Sequence, residues 1–340
     1  MFNRRMIELF VVLVVLIVAV ASCAPVPQAV TPSGGQAAGE KSVAMVLPGP
    51  IGDQGWNTKA YQALELYKKA GLKTAYVDSV PNPDNEASLR SFGKQGYDLV
   101  VGHGFTFVDP VLKVAPEFSK SNFFVSAGLP PADAKLPSNV SFMQYKSEEG
   151  FYLAGMLAAK MSKTGNIGYI GAMSTPICLA DLAAYKMGAR EINPNIKVVS
   201  AWVGSFDDPV KGRDAGLAQI ANGVDVMIHD ADSTGTGALK AAIEKGIKVI
   251  GSVDDQSALG PDNFLSSVTI DVTKAIAEQN DLIAAGKFGG IWKPGMAEGI
   301  IGLAPLGASV PQDVKDLIAK RQQEIASGAF KVESIYKEID

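Results

Sequence analysis

Short apolar runs rich in β-branched residues alternate with amphipathic stretches of helical length from residue 42 onward. This alternation predicts βαβ units and therefore parallel sheet. The first series of elements predicts strands at 43–47, 72–77, 97–101 and 122–126, and helices near 57–70, 85–95 and 109–118. A segment at 136–144 has no helical period and leads away from this series.

A second series of the same construction follows. It predicts a helix near 148–162, strands at 167–170, 198–203, 224–229 and 249–253, and helices near 177–192, 210–222 and 236–245. Two sheets built in the same way imply two lobes.

The remaining chain predicts a strand at 264–270, a helix at 272–285 and a final helix at 314–327, with a glycine-rich stretch at 289–306. If the helix at 272–285 returns to the first lobe, the chain crosses between lobes near 146, 270 and 293. We then expect a first lobe of 42–146 with about 271–293, and a second lobe of 147–270 with about 294–340. Several crossings form a hinge, and hinge closure around a ligand is a known switching mode.

The N-terminus has a different composition. Two arginines precede an apolar run at 10–21 that ends in Val-Ala-Ser-Cys23, which predicts a signal peptide over residues 1–22. The run is shorter than the roughly 20 residues of a spanning helix.

Val-Ala-Ser-Cys resembles a bacterial lipobox, which implies lipidation of Cys23 and a lipid-anchored protein at the cell membrane, facing the periplasm or the extracellular side. The alternative is an ordinary signal peptide. Residues 23–41, rich in Pro, Gly, Ala, Gln and Ser, predict a flexible tether.

The overall composition narrows the possible functions. A net charge of −4 over 340 residues, with no basic stripe, argues against nucleic acid as a partner. The chain has no P-loop, no complete dinucleotide-binding fingerprint and no Gly-x-Ser-x-Gly elbow. We therefore predict no cofactor and no catalytic residue.

The glycine-rich turn at 49–57 carries a carboxylate, an indole and a carboxamide, in Asp53, Trp56 and Asn57. The turn follows a predicted strand, and open α/β sheets bind ligands at the carboxyl ends of their strands. A planar ligand with hydrogen-bonding edges would suit this trio. In the alternative interpretation, Asn57 caps the helix, Asp53 lies near its positive end and Trp56 packs the turn.

Other predicted strand ends carry similar side chains: Phe105, Phe206, Asp230, Asp232 and Asp254. Trp56 and Phe206, from different lobes, would sandwich a flat ring, and the carboxylates would accept hydrogen bonds from ring N–H, amino or hydroxyl groups. The alternatives are loop packing for Phe206 and helix capping for Asp230 and Asp232.

A metal site would use the two histidines of the chain, His103 and His229, with Asp230 and Asp232. None of these pairs has a recognised metal-binding spacing. We therefore expect histidines of the cleft or core and no metal.

Four motifs together resemble the basic membrane protein family of ABC-transporter substrate-binding lipoproteins, which are similar to purine nucleoside receptors. They are Gly52-Asp-Gln-Gly-Trp-Asn57, Glu148-Glu-Gly-Phe-Tyr-Leu-Ala-Gly-Met-Leu-Ala-Ala159, Gly204-Ser-Phe-Asp-Asp-Pro-Val-Lys-Gly212 and Asp232-Ser-Thr-Gly-Thr-Gly237. The resemblance implies a type I periplasmic-binding-protein fold, with two Rossmann-like lobes of parallel sheet and a hinge of three crossovers. It places Asp53, Trp56, Asn57 and Phe206 on purine-holding positions.

Two positions depart from the nucleoside-binding pattern. The resemblance places an Asp and a Lys that hold the ribose where this chain has Val253 and Ile270. Two charge-assisted hydrogen bonds, each worth about 1.5–3 kcal/mol, would be missing. A free nucleobase is therefore favoured as the ligand, although a nucleoside would still bind if Asp254 took the place of the missing Asp.

We accordingly expect a substrate-binding lipoprotein that is monomeric, binds a purine nucleobase or nucleoside, and delivers it to the permease subunits of an ABC importer. A Med-like regulatory lipoprotein and a purine-processing hydrolase are the alternatives. The hydrolase would need a positioned general base, and the sequence shows no assured one.

Overall fold

The computed structural model describes residues 41–52 and 55–340. The predicted signal peptide, the tether up to residue 40, Cys23 and Asp53 lie outside these ranges. Within the described part of the chain, no helix has the length and apolar character needed to cross a membrane.

The described residues form strands and helices that alternate along the chain. The strands are β1 Ser42–Val46, β2 Lys73–Val77, β3 Leu99–Gly102, β4 Asn122–Val125, β5 Val140–Met143, β6 Asn166–Gly171, β7 Lys197–Trp202, β8 Val226–Asp230, β9 Lys248–Val253, β10 Phe264–Ile270, β11 Gly290–Trp292 and β12 Ile301–Leu303. The helices are α1 Trp56–Lys69, α2 Asn85–Lys94, α3 Val108–Val114, α4 Glu148–Met161, α5 Pro176–Ile192, α6 Pro209–Ala221, α7 Asp232–Glu244, α8 Val272–Ala284 and α9 Gln312–Ala326.

The strands form two six-stranded sheets, in the orders β11-β5-β4-β3-β1-β2 and β12-β10-β9-β8-β6-β7. Every neighbouring pair is parallel except β10 with β12. The strand order reverses between β1 and β3 in one sheet and between β6 and β8 in the other. The prediction of two parallel α/β lobes is confirmed.

Three short strands were not predicted from the sequence. β5 lies in the segment at 136–144, and β11 and β12 lie in the glycine-rich stretch at 289–306. β11 and β12 have three residues each, which is too short for an alternating pattern to show. β11 and β12 are also edge strands, so long-range pairing rather than local sequence creates them.

The chain passes between the sheets three times: after β5, after β10, and between β11 and β12. The first and third passages run side by side, because Gln144 N donates to Trp292 O (3.0 Å) and Lys146 N donates to Pro294 O (2.9 Å). After the second passage, α8 packs on α1, where Tyr67 Oη donates to Ile276 O (2.5 Å). The lobe boundaries near 146, 271 and 293 remain our proposal.

The C-terminal segment, defined here as residues 328–340, turns back from α9 onto the second lobe. Phe330 packs on Tyr152 of α4, with ring centroids 5.3 Å apart, and the Arg321 guanidinium lies 4.1 Å from the centre of the Phe330 ring. Three further hydrogen bonds fix the end of the chain: Gln144 Nε2 to Tyr336 Oη (3.3 Å), Trp202 Nε1 to Glu338 Oε1 (2.9 Å) and Lys186 Nζ to Ile339 O (2.5 Å).

Candidate functional site

The candidate site lies at the two points where the strand order reverses. Trp56 follows β1 and His103 follows β3 in the first lobe, whereas Asp230 ends β8 beside β6 in the second. Open α/β sheets bind ligands in the crevice outside the carboxyl ends of the strands at such points. The fold therefore brings the predicted residues of each lobe to the edge where a ligand is expected.

One ion pair shows that the carboxyl edges of the two sheets face each other. Lys59 Nζ, on α1, lies 2.7 Å from Asp254 Oδ2, in the loop after β9. Both side chains are partly exposed, and such pairs contribute less than about 1 kcal/mol. Asp254, predicted as a ligand contact, is thus engaged by Lys59 in this structure, and a ligand would have to share or replace that cation.

The turn before α1 is held by hydrogen bonds to side chains from the start of that helix. Asn57 Oδ1 accepts from Gly49 N (3.3 Å), and Thr58 Oγ1 donates to Ile51 O (2.8 Å). Asn57 is the second residue of α1, and the N-cap position is Gly55, with no side-chain cap. The interpretation of Asn57 as a helix cap is therefore wrong, because its amide supports the turn instead.

Two side chains of the first lobe contact the Trp56 indole, one on a face of the ring and one at an edge. The His103 ring stacks on it, with centroids 4.3 Å apart and planes at 23°. The Tyr145 ring meets it edge-on, at 5.9 Å and 79°. Trp56 itself remains partly exposed. Phe105, also at the end of β3, is 47% exposed at the rim of the same lobe.

Phe206 lies in the loop between β7 and α6, where its side chain packs partly buried against the core of the second lobe. Its carbonyl accepts from Thr234 N of α7 (3.0 Å). In the described part of the chain, no ring contact joins Phe206 to Trp56. The two aromatic residues belong to different lobes, and the sandwich between them stays a prediction.

Asp230 is partly buried and interacts with the buried carboxyl of Asp181 in the second lobe. Tyr169 Oη donates to Asp230 Oδ2 (2.9 Å), and Ser147 Oγ donates to Asp181 Oδ1 (2.8 Å). Burial raises the pKa of Asp181 well above its usual range, and repulsion from Asp230 raises it further. Burial also raises the pKa of Asp230, against the opposing effect of the Tyr169 hydrogen bond. A carboxyl that holds its proton donates as well as accepts.

Neither Asp230 nor Asp232 caps α7. The helix begins at Asp232, with Ala231 at the N-cap position and no side-chain cap hydrogen bond. The capping interpretation is therefore wrong, and the helix also begins four residues earlier than the predicted start near 236. Asp232 has a φ of +42°, a left-handed conformation that is uncommon outside glycine and is held where the surrounding structure requires it.

The two histidines occupy separate sites in separate lobes. His103 Nδ1 lies 2.7 Å from Ser126 Oγ, and His229 Nε2 lies 2.8 Å from Gln256 Oε1. Among the described residues, no group of three or more His, Cys, Asp or Glu side chains is arranged to hold a metal ion.

Val253 and Ile270, the two departures from the nucleoside-binding pattern, are both partly buried. Val253 has a φ of +72°, which is rare for a β-branched residue and strained. The backbone is thus held in a costly conformation at the carboxyl end of β9, next to Asp254. Sequence reasoning missed this feature, because no local signal marks a left-handed valine.

A family model described as PnrA-like substrate-binding proteins of ABC transporters matches residues 40–334. The chain belongs to this family. A purine-binding protein of Brucella abortus is 34% identical over 308 residues, which cover 87% of this chain and 84% of that protein. Basic membrane protein A of Borreliella afzelii is 28% identical, over 86% of this chain and 91% of that protein.

A solved solute-binding protein of an ABC transporter system from Aeropyrum pernix superposes with a TM-score of 0.77 at 23% identity. The match covers 87% of this chain and 94% of that one. This likeness concerns the fold, and it identifies the two lobes as a type I periplasmic-binding-protein architecture. The resemblance inferred from the four motifs is confirmed.

Membership of the PnrA-like family fixes the general activity. The protein is a substrate-binding protein of an ABC transporter, because the family consists of binding proteins and not of enzymes. The hydrolase alternative is therefore excluded. Substrate-binding proteins of this family act outside the cytoplasm, where they bind a small molecule and interact with the permease.

Proposed function

We propose that the protein binds a purine, as a free nucleobase in preference to a nucleoside, and delivers it to an ABC importer. The observation that carries the proposal is the Trp56 indole, which is fixed at the point of strand-order reversal of the first lobe and remains partly exposed. A flat heterocycle stacked on an aromatic ring gains about 1–3 kcal/mol. The 34% identity with a purine-binding protein supports the same ligand class.

In this proposal the two lobes supply different contacts. Trp56 and Phe206 form the walls that stack on the ring, and Asn57, Asp53 and Phe105 surround it from the first lobe. Asp230 and Asp232 meet its polar edge from the second lobe, with Asp254 beside them. Purines carry both donors and acceptors at their edges, and carboxyls in either protonation state suit such a pattern.

The preference for a nucleobase follows from the residues near β9 and β10. Val253 and Ile270 carry no polar group, and Asp254 is paired with Lys59. A sugar would have to leave its hydroxyl groups beside apolar side chains, and each buried hydroxyl without a partner costs about 1–3 kcal/mol. Purine nucleosides are therefore expected to bind more weakly than the corresponding bases.

Trp56→Ala is expected to raise the Kd for a purine base by about 5- to 150-fold, which is the loss of one stacking contact. Calorimetric titration with adenine, guanine, hypoxanthine and their nucleosides measures this change. Trp292→Phe, on the edge strand β11, is the matched control and should leave the Kd unchanged. Binding of sugars or peptides in place of purines would disprove the proposed function.

We also propose that the protein is anchored to the membrane by lipid on Cys23. The motif Val-Ala-Ser-Cys23 carries this part of the proposal, and residues 23–41 then serve as the tether. Cys23→Ala is expected to move the protein from the membrane fraction to the soluble fraction of cells. Unchanged fractionation, with no lipid label on the wild-type protein, would refute the anchor.

A further inference from the structure

The ring of His103 stacks on one face of Trp56. The two ring centroids lie 4.3 Å apart, and the planes are inclined by only 23°. His103 is fully buried, whereas Trp56 is partly exposed. The opposite face of the indole is the one on which a ligand would stack.

Both nitrogens of His103 are engaged, which fixes the orientation of the imidazole. Nε2 lies 3.1 Å from the backbone oxygen of Trp56, and Nδ1 lies 2.7 Å from Ser126 Oγ. A carbonyl oxygen only accepts, so Nε2 carries the hydrogen and Nδ1 accepts from the serine hydroxyl. Ser126 is itself fully buried after β4. The imidazole thus links the end of β4 to both the ring and the backbone of Trp56.

The residue after His103 also lies next to the indole. Gly104 has a φ of +110°, a conformation that other residues avoid, whereas space is not the constraint, because a Cβ there would lie at an ordinary contact distance of 3.8 Å from Trp56 Nε1. Tyr145 meets the indole edge-on at 5.9 Å. Trp56 is therefore held from behind by His103 and from one edge by a residue at the first passage between lobes.

We propose that His103 is a positioning residue of the ligand site, which seals one face of Trp56 and fixes the indole before the ligand arrives. This inference rests on the proposed function, because it assumes that the ligand stacks on Trp56. A side chain that is already ordered loses little freedom on binding, and preorganisation of this kind increases affinity. Without the imidazole, ligand binding itself would have to immobilise the indole.

The test compares His103→Asn, which keeps polar atoms but removes the ring, with His103→Phe, which keeps a ring but removes the hydrogen bonds. Both are made in the full chain with Trp202 and Trp292 changed to Phe, so that Trp56 is the one remaining tryptophan of the three. Time-resolved fluorescence anisotropy then reports the nanosecond motion of this indole alone. Calorimetry with adenine gives the affinity.

For His103→Asn we expect a fast anisotropy decay that adenine suppresses at saturation, and a Kd raised by about 2- to 10-fold. For His103→Phe we expect a slow decay and a Kd close to that of the parent. Phe123→Leu, a substitution in the core of the same sheet on β4, is the control for lost stability and should change neither measurement. If one histidine variant does not fold, the anisotropy and Kd of the other, compared with Phe123→Leu, still test the inference.

Unchanged anisotropy and affinity in His103→Asn would overturn the inference, as would equal changes in Phe123→Leu. A fast decay and a raised Kd in His103→Phe, with parent-like values in His103→Asn, would also overturn it. Hydrogen bonds rather than the stacked ring would then hold Trp56. If the parent protein binds no purine, the proposed function fails. The anisotropy of the unliganded variants still decides whether His103 holds the indole.

Discussion

Gly212→Ala is expected to lower the free energy of unfolding by about 3 kcal/mol or more. A Cβ at this position of α6 would lie 1.8 Å from the backbone oxygen of Thr234 in α7. A backbone oxygen cannot swing aside as the end of a flexible side chain can, so the two helices would have to move apart. Thr234 N also donates to Phe206 O, and the same shift would displace the proposed ligand contact.

Gly216→Ala provides a matched control on the same helix and against the same neighbour. Its Cβ would lie 3.1 Å from the nearest atoms of Ala238, a contact that a shift of a few tenths of an ångström relieves. Alanine also favours helix over glycine by about 1 kcal/mol. We expect this variant to be close to neutral in urea denaturation followed by circular dichroism. Equal losses of unfolding free energy in both variants would show that the clash between α6 and α7 at residue 212 is not the cause of the destabilisation.

The stabilisation that comes from a neutral His229 is expected to be lost as the pH drops from 6.5 towards 4. Burial lowers the pKa of His229 to about 4, from 6.5 for an exposed histidine. Gln256 Oε1 accepts from Nε2 (2.8 Å), and Nδ1 has no hydrogen-bond partner among the described residues. A second proton would create an unpaired buried N–H on a charged ring, which the folded state resists.

The direction of this pH effect on stability follows from the number of protons bound in the folded and unfolded states. Between pH 6.5 and 4 the unfolded chain binds the His229 proton and the folded protein does not, so protonation favours unfolding. The contribution of His229 is complete above pH 6.5 and is lost as the pH falls, up to about 3 kcal/mol in total. The carboxyls of Asp181 and Asp230, whose pKa values are raised, act in the opposite direction.

His229→Gln isolates this contribution, because glutamine keeps a donor for Gln256 and does not titrate. We expect the wild-type protein to be the more stable at pH 7, and its advantage to shrink by about 3 kcal/mol by pH 4. Urea denaturation of both proteins at half-unit pH steps measures the difference, in which the contributions of the carboxyls common to both proteins cancel. A difference that does not vary with pH would contradict the lowered pKa of His229.

The longer strands and helices were predictable because each carries its own local pattern, either a helical period or an apolar run. β1, with all five residues buried, shows as a continuous apolar run in the sequence. β11 and β12 were missed because edge strands of three residues are defined by their partners, and β5 was missed because it lies in a segment without a clear period. Helix starts were missed for a related reason: α7 begins without a side-chain cap, so no residue marks its first turn.

The candidate site was predictable only where it is local in sequence. Trp56 and Asn57 stand out within one glycine-rich turn, and the structure places both at the point of strand-order reversal. The backing of Trp56 by His103 joins residues 47 positions apart, and no spacing rule connects them. The sequence marks His103 only as a candidate metal ligand at a strand end, and the geometry shows that its partner is an indole. The Lys59–Asp254 pair is equally non-local.

The late position of β11, β12 and the C-terminal segment has a consequence for synthesis of the chain. The first sheet lacks an edge strand until residue 290 has been made, and the second until residue 301. The contacts of Trp202 and Lys186 with residues 338 and 339 form later still. Pairing over such sequence distances is slow. Each sheet is therefore completed late in synthesis, and the side of its last central strand stays open for pairing until then.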